Sequence, residues 1–153
     1  MDYLIHQLLD INSIKEINSK LLIEELGWED GRKTAGSQAA KLKKNLQLNR
    51  SSKTSIALTD FLIDKLNSDS LIKSYSLAKQ FHGLMFTRSQ QGDGYGIHVD
   101  NPYMSSGRSD LSFTLFLSDK DKYEGGELCI QTIQETKEIK LGAVIKNNII
   151  LNI

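Results

Sequence analysis

Two residues, His98 and Asp100, are the part of this sequence whose types and spacing imply chemistry. On an extended strand, residues i and i+2 point to the same face, and their Cα atoms lie ~6.5 Å apart. An imidazole and a carboxylate placed in this way can bind one cation. They are two of the three protein ligands of a 2-His-1-carboxylate triad, which leaves positions on non-haem Fe(II) open for a co-substrate and O2. We therefore expect a metal site in the stretch GDGYGIHVD, residues 92–100.

The surroundings of the pair favour a binding site, and its third ligand is undecided. Glycines on both sides of Tyr95 permit close approach of the backbone, and Asn101-Pro102 ends the strand just after the pair. The other histidines are His6 and His82. We interpret His6 as a structural or solvent-exposed residue and His82 as a loop residue. A site completed by His82, by water or by a partner chain stays open as an alternative.

The bulk composition indicates one soluble domain. The chain has 153 residues, and its 19 Lys and Arg balance 19 Asp and Glu, so nothing favours nucleic acid or an anionic membrane. No apolar run approaches the ~20 residues of a membrane span, and the first residues do not resemble a secretory signal. The chain has a single cysteine, Cys129, and therefore no internal disulfide. We expect Cys129 to be a small buried residue in a strand. We expect a reducing, cytoplasmic environment and leave the oligomeric state open.

The chain divides into a helical part and a β part. A helix is predicted over residues 13–26, with Ser13 and Glu16 as a capping box, and another from Ser51 or Ser52 to Leu66. Residues 37–48 fit either a helix or an extended segment. After residue 70, six short segments have the composition of strands; they cover residues 71–78, 83–90, 95–100, 109–119, 126–134 and 136–141. The predicted class is α+β, with N-terminal helices (residues 1–70) packed on an antiparallel β-sandwich or barrel (residues 71–141) and a divergent tail (residues 142–153).

Three blocks of the sequence, in a fixed order, form a distinctive combination of motifs. The first block is Trp28, Asp30-Gly31-Arg32, Thr34-Ala35-Gly36 and Gln38-Ala39, followed by Lys44-Asn45 and Gln47-Leu48. The second is Gly92 with Tyr95-Gly96 and His98-Val99-Asp100-Asn101. The third is Arg108, Asp110-Leu111-Ser112 and Thr114-Leu115-Phe116-Leu117-Ser118, with Tyr123 and Gly125-Gly126-Glu127-Leu128. Together these blocks resemble the PKHD-type hydroxylases, which are Fe(II)- and 2-oxoglutarate-dependent dioxygenases related to prolyl 4-hydroxylases. The resemblance covers about residues 21–141.

The resemblance implies a double-stranded β-helix, or jelly roll, and a hydroxylation coupled to conversion of 2-oxoglutarate and O2 into succinate and CO2. It implies Fe(II) as cofactor and ascorbate as accessory reductant, while the primary substrate is unknown. His98 and Asp100 match the first two iron ligands of the family. Candidate cofactor-binding residues are Arg88, Tyr95, Arg108 and Thr114.

The sequence departs from the family at its C-terminal side. No histidine follows Asp100, so the distal iron ligand and the 2-oxoglutarate-binding Arg beyond it are without counterparts, and Ser89 stands where relatives often carry tyrosine. The ending GAVIKNNIILNI differs from the family, which indicates a truncation near Leu141-Gly142. We therefore expect impaired activity; the alternative is a non-catalytic remnant or a metal-binding jelly-roll module.

Overall fold

The protein has an α+β architecture of helices and short antiparallel strands. A computed structural model describes residues 3–23, 27–35, 39–104, 107–131, 135–139 and 149–152. The α-helices in these ranges are α1 (Ile11–Leu21), α2 (Lys53–Ser68) and α3 (Ser70–Ser76). The strands are β1 (Tyr3–His6), β2 (Trp28–Asp30), β3 (Lys43–Lys44), β4 (Leu46–Leu48), β5 (Thr87–Arg88), β6 (Gly94–Tyr95), β7 (Tyr103–Met104), β8 (Gly107–Arg108), β9 (Ser112–Leu115), β10 (Leu128–Gln131), β11 (Thr136–Ile139) and β12 (Ile149–Asn152). The predicted α+β class is confirmed.

Helix α1 begins and ends earlier than predicted. Its N-cap is Asp10, whose side chain accepts a hydrogen bond from the backbone N–H of Ser13 at 2.8 Å. Ser13 therefore lies inside the helix, and the predicted Ser13–Glu16 capping box is wrong. Asp10 is an equally strong N-cap residue, so a carboxylate three residues upstream decides where the helix starts.

Helix α2 agrees with prediction at both ends, within two residues. Ser52 is its N-cap and accepts from the N–H of Ser55, as a serine before an apolar periodic run predicts. The segment 71–78, predicted as a strand, instead forms helix α3. Asp69 caps this helix by accepting from the N–H of Ile72, and Leu77 closes it in a left-handed conformation. Seven residues are too few for periodicity to separate a helix from a strand.

The hydrophobic core lies between the three helices and the strands that follow them. One cluster joins α1, α2 and β4; its buried members are Leu9, Ile14, Ile17, Leu48, Leu58, Leu62 and Phe86. A second cluster is built on Leu66 and Ile72, and Phe113 and Leu115 of β9 pack against it. Of the four positions predicted to face the core, Phe113, Leu115 and Leu117 pack against it, although every residue of β9 is half-buried and burial does not alternate along the strand. Within the described ranges, no helix has the length and apolar character needed to cross a membrane.

The strands form small antiparallel sheets rather than one continuous sheet in the described ranges. The three-stranded sheets have the orders β1-β12-β9 and β2-β4-β5, and two-stranded pairs join β3 with β6, β7 with β8 and β10 with β11. The segment 1–12 contains strand β1, which lies at one edge of the sheet β1-β12-β9. The ambiguous segment resolves into a short 3-10 helix (Ala39–Lys41) and strands β3 and β4, while residues 37 and 38 lie outside the described ranges.

Most predicted strands are shorter in the structure. Only Thr87–Arg88 of segment 83–90 and Gly94–Tyr95 at the start of segment 95–100 form strands. Cys129 is in a strand as predicted, but it is exposed rather than buried. The proposed truncation point, Leu141-Gly142, lies outside the described residues.

Candidate metal centre

His98 and Asp100 come together in the structure, although by a route that differs from the predicted one. Strand β6 ends at Tyr95, and both residues lie in the irregular segment that follows it. The argument from one face of a strand is therefore wrong for this pair. Nevertheless, the Nε2 atom of His98 lies 3.4 Å from the Oδ1 atom of Asp100. The fold of the loop brings together the two groups that the motif singled out.

The imidazole of His98 is oriented by the backbone carbonyl of Gly96. Its Nδ1 atom lies 2.7 Å from the oxygen of Gly96, and because a carbonyl only accepts, Nδ1 carries the hydrogen. In a neutral ring, Nε2 then carries the lone pair that can bind a cation. Metal-binding histidines use this arrangement, in which the second nitrogen donates to a carbonyl or carboxylate and selects the tautomer.

The donor atoms of this pair fit a divalent transition metal in type and separation. Nitrogen and oxygen donors bind such ions at about 2.0–2.2 Å, so two donors of one ion lie at most roughly 4 Å apart. The observed separation of 3.4 Å satisfies that limit. The side chains are 30% and 62% exposed, which leaves them accessible to an ion from solvent. Across the described residues, no three His, Cys, Asp or Glu side chains cluster into a metal site, so no third donor of these types accompanies His98 and Asp100 there.

Tyr95 completes the immediate surroundings of His98. Its ring stacks on the imidazole with a centroid distance of 3.8 Å and an interplanar angle of 28°. Burial raises the pKa of Tyr95, and the Asp100 carboxylate raises it further. The phenol therefore keeps its proton at neutral pH and is a hydrogen-bond donor beside the pair.

A short strand from the N-terminal half supports the segment that carries the pair. Strand β3 pairs with β6, placing Lys43 opposite Tyr95 and Lys44 opposite Gly94. The N–H of Gly96 donates to the carbonyl of Leu42 at 3.2 Å, and a Cβ on Gly96 would meet the Leu42 side chain at 3.1 Å. Glycine at this position thus allows the two backbones to approach closely.

The same strand holds the turn before β6. The ammonium of Lys44 lies 3.4 Å from the carboxylate of Asp93 and donates to the carbonyl of Gly92 at 3.2 Å. Gly92 has a φ of +79°, a conformation that other residues rarely adopt. The first and second family-like blocks of the sequence are therefore neighbours in the fold.

The remaining predicted cofactor residues have other contacts. The guanidinium of Arg88 lies over the Trp28 ring, 4.8 Å from its centroid. Arg108 forms an exposed ion pair with Asp110. Thr114 lies in β9, opposite Ile150 of β12. Cofactor binding by these residues stays a prediction.

The other histidines are placed differently. The Nε2 atom of His6 lies 2.8 Å from Asp69, so His6 links β1 to the start of α3 in a structural role. His82 is half-buried in the segment before β5, where a loop histidine was predicted. Ser89 is exposed just after β5. The proposal that His82 completes the metal site is not tested by these placements.

Sequence reasoning missed Lys43, which is 5% exposed and lies beside Tyr95. Its ammonium donates to Thr34 Oγ1 at 3.2 Å and lies 5.0 Å from the Tyr95 ring centroid. The spacing of Lys43 and Gln47 places them on one face of an extended segment, and this was the available signal. In the structure both residues are buried. The pattern passed unnoticed since lysine is ordinarily a surface residue.

Comparison with known proteins identifies the relatives of this chain. No protein-family model matches the sequence. The chain is 57% identical over 143 residues to a PKHD-type hydroxylase of Prochlorococcus marinus strain MIT 9303. It is 56% and 55% identical, again over 143 residues, to PKHD-type hydroxylases of strains MIT 9313 and NATL1A. These alignments cover 94% of this chain and 65% of each relative, so the chain spans about two-thirds of their length. The resemblance carried by the three blocks is thereby confirmed: this chain is a homologue of the PKHD-type hydroxylases.

Proposed function

We propose that this chain carries the proximal half of an Fe(II) site in a 2-oxoglutarate-dependent hydroxylase. The main support for this proposal is the His98–Asp100 pair. Nε2 of His98 lies 3.4 Å from Oδ1 of Asp100, and Nδ1 of His98 contacts the Gly96 carbonyl. The PKHD-type relatives support the same reaction class. The related proposal for the fold is a double-stranded β-helix, which agrees with the antiparallel pairing of the described strands.

In this proposal each residue near the pair has a defined task. When bound, Fe(II) would activate O2, so that one oxygen atom enters a C–H bond of the substrate and the other enters succinate as 2-oxoglutarate loses CO2, with ascorbate as accessory reductant. His98 and Asp100 hold the ion, and the Gly96 carbonyl keeps the His98 lone pair directed at it. Tyr95 fixes the imidazole plane by stacking. Arg88, Tyr95, Arg108 and Thr114 are the proposed contacts of 2-oxoglutarate, and the hydroxylated substrate is left unassigned.

The proposed activity of this polypeptide by itself is low. The 153 residues contain no histidine beyond Asp100, so they supply two of the three protein ligands of a facial triad. Two ligands hold Fe(II) less tightly than three, and iron that dissociates cannot sustain turnover. Metal binding and catalysis are accordingly expected to separate, with the first measurable and the second weak.

Metal titration of the purified chain tests the half-site. Co(II), a spectroscopic substitute for Fe(II), is added anaerobically, and binding is followed by absorbance and by calorimetry. His98→Ala and Asp100→Ala are each expected to weaken binding at least about tenfold, since each removes one of two protein donors. Val99→Ala is the matched control, because Val99 lies between the ligands and is 94% exposed. Equal affinity of His98→Ala and Val99→Ala contradicts the proposal.

Turnover is tested by measuring succinate formed from 2-oxoglutarate in the presence of Fe(II), O2 and ascorbate. We expect little or no succinate from this chain alone. Robust succinate formation that EDTA abolishes and that His98→Ala also abolishes would overturn the low-activity part while supporting the iron site. Failure to bind Co(II) at all would instead favour a non-catalytic module.

A further inference from the structure

We propose that Lys43 is a positioning residue for His98, acting through the aromatic ring of Tyr95. The metal-binding consequence rests on the proposed function, whereas the effect on the His98 ring does not. Strand pairing places Lys43 directly opposite Tyr95, and paired residues of antiparallel strands project to the same side. The ammonium lies 5.0 Å from the Tyr95 ring centroid, and the imidazole of His98 stacks on that ring at 3.8 Å.

Lys43 is buried, which is unusual for a lysine. Lys43 is 5% exposed, while its neighbour Lys44 lies largely in solvent. Burial lowers the pKa of Lys43, and the nearby charge of Arg50 lowers it further. A buried cation is costly unless nearby groups stabilise it, and here a hydroxyl oxygen and the electron-rich face of an aromatic ring do so.

The ammonium is held from the N-terminal block as well as by the ring. Thr34 Oγ1 accepts from Lys43 at 3.2 Å and also contacts the side-chain oxygen of Gln47. Gln47 is itself buried, so this small polar cluster has a defined geometry. Lys43 thus connects the turn at Gly31–Thr34 to the ring against which His98 stacks.

A cation beside Tyr95 restricts where that ring can lie. Cation–π attraction in a desolvated setting favours one placement of the ring relative to the ammonium. Because the imidazole stacks on the ring, a restricted Tyr95 also restricts the plane of His98. Loss of the ammonium should therefore broaden the orientations of His98, even with the Gly96 hydrogen bond intact.

Proton NMR of the metal-free protein tests this inference. The chain has three histidines, so the imidazole ring protons of His98 are assigned by comparison with His98→Ala. Lys43→Met keeps the length of the side chain but removes the charge, and is expected to shift the His98 signals as the tyrosine ring current changes. Lys43→Arg keeps a cation that stacks on aromatic faces and should leave them close to wild type. Lys41→Met is the matched control, because Lys41 is an exposed lysine just before β3.

The inference is overturned if Lys43→Met shifts the His98 signals no more than Lys41→Met does. Thermal unfolding of each variant separates positioning from a general loss of structure, and Lys43→Gln is read in the same way if Lys43→Met does not fold. In the Co(II) titration, Lys43→Met should bind about three- to tenfold more weakly than Lys41→Met, with Lys43→Arg intermediate. If wild type binds no Co(II), the proposed function fails while the NMR comparison still decides the role of Lys43.

Discussion

The helical core and the ligand segment hold their geometry by different interactions. In the core, Leu66 and Ile72 are completely buried and pack against strand β9. In the segment after β6, the apolar side chains Ile97, Val99 and Tyr103 are largely exposed. Since apolar burial is the main stabilising contribution to folding, the core accounts for most of the stability of the fold. The ligand pair is placed instead by one carbonyl, one aromatic stack and a two-residue strand pair.

This difference separates stability from chemistry. Substitutions in the core should change the free energy of unfolding while the ligand atoms keep their local contacts. Substitutions in the ligand segment should change metal binding at little cost in stability. Strand β3 and the turn at Gly31–Thr34 lie between the two regions and connect them.

The largest expected stability effect is in the core. Leu66→Ala should lower the free energy of unfolding by about 2–5 kcal/mol, because it removes a fully buried side chain and leaves a cavity. Urea unfolding followed by circular dichroism measures the change. Ile56→Ala on the same helix is the control, since Ile56 is half exposed. A loss no larger than that of the control would show that this part of the core is loosely packed.

A smaller loss of folding stability is expected at Gly31, in the turn that connects the helical core to the ligand segment. A Cβ on buried Gly31 would lie 1.9 Å from Oδ1 and 3.1 Å from the backbone oxygen of Asn45. Gly31→Ala should therefore destabilise the protein by about 1–3 kcal/mol through overpacking. Gly94→Ala is the control because a Cβ there meets nothing within 4 Å. Equal unfolding midpoints for the two variants contradict the prediction.

The N-cap of α3, Asp69, allows a pH-dependent test of the stability of the helical core. Burial raises the pKa of Asp69, but the Ile72 N–H and the His6 side chain outweigh it and leave the pKa below its ordinary value. A carboxyl with a lowered folded-state pKa stabilises the protein above the unfolded pKa of about 3.9, and this contribution is lost as the pH falls through the folded pKa.

Asp69→Ala should accordingly cost about 0.5–2 kcal/mol near neutral pH, the usual value of an N-cap. The difference from wild type should shrink as the pH is lowered from about 5 to about 2. Urea unfolding across this range measures it, and Asp60→Ala on the exposed side of α2 is the control. A difference that stays constant with pH would mean that the carboxylate charge is not the stabilising feature.

The smallest stability effect is expected at the metal ligand itself. His98→Ala should change the free energy of unfolding by no more than about 0.5 kcal/mol, because the residue lies in an exposed segment. The same variant should show the large loss of Co(II) affinity described above. Thermal unfolding in EDTA measures the first quantity. A destabilisation comparable to that of Leu66→Ala would refute the separation of core and site.

Local patterns in the sequence predicted those parts of the fold that local interactions determine. The bounds of α2 follow from the Ser52 cap and a helical apolar period, and the core contacts of β9 follow from its alternating apolar residues. Helix α3 was mistaken for a strand because β-branched and aromatic residues over seven positions fit both patterns. The Asp69 cap was a local helix signal that the prediction overlooked, whereas the burial of Ile72 beside Leu66 is decided by tertiary packing.

The sequence alone determined the chemistry of the candidate site, since the types and spacing of His98 and Asp100 define two metal donors and the three blocks define the family. Tertiary structure decided how the donors converge. The pair lies beyond the end of β6, where the Gly96 carbonyl holds Nδ1 of His98 and the His98 imidazole stacks on Tyr95. Strand β3, with buried Lys43, supports Tyr95 although it lies far away in the sequence. Contacts between residues so distant in the chain carry no local signature, because they arise only when β3 and β6 pair.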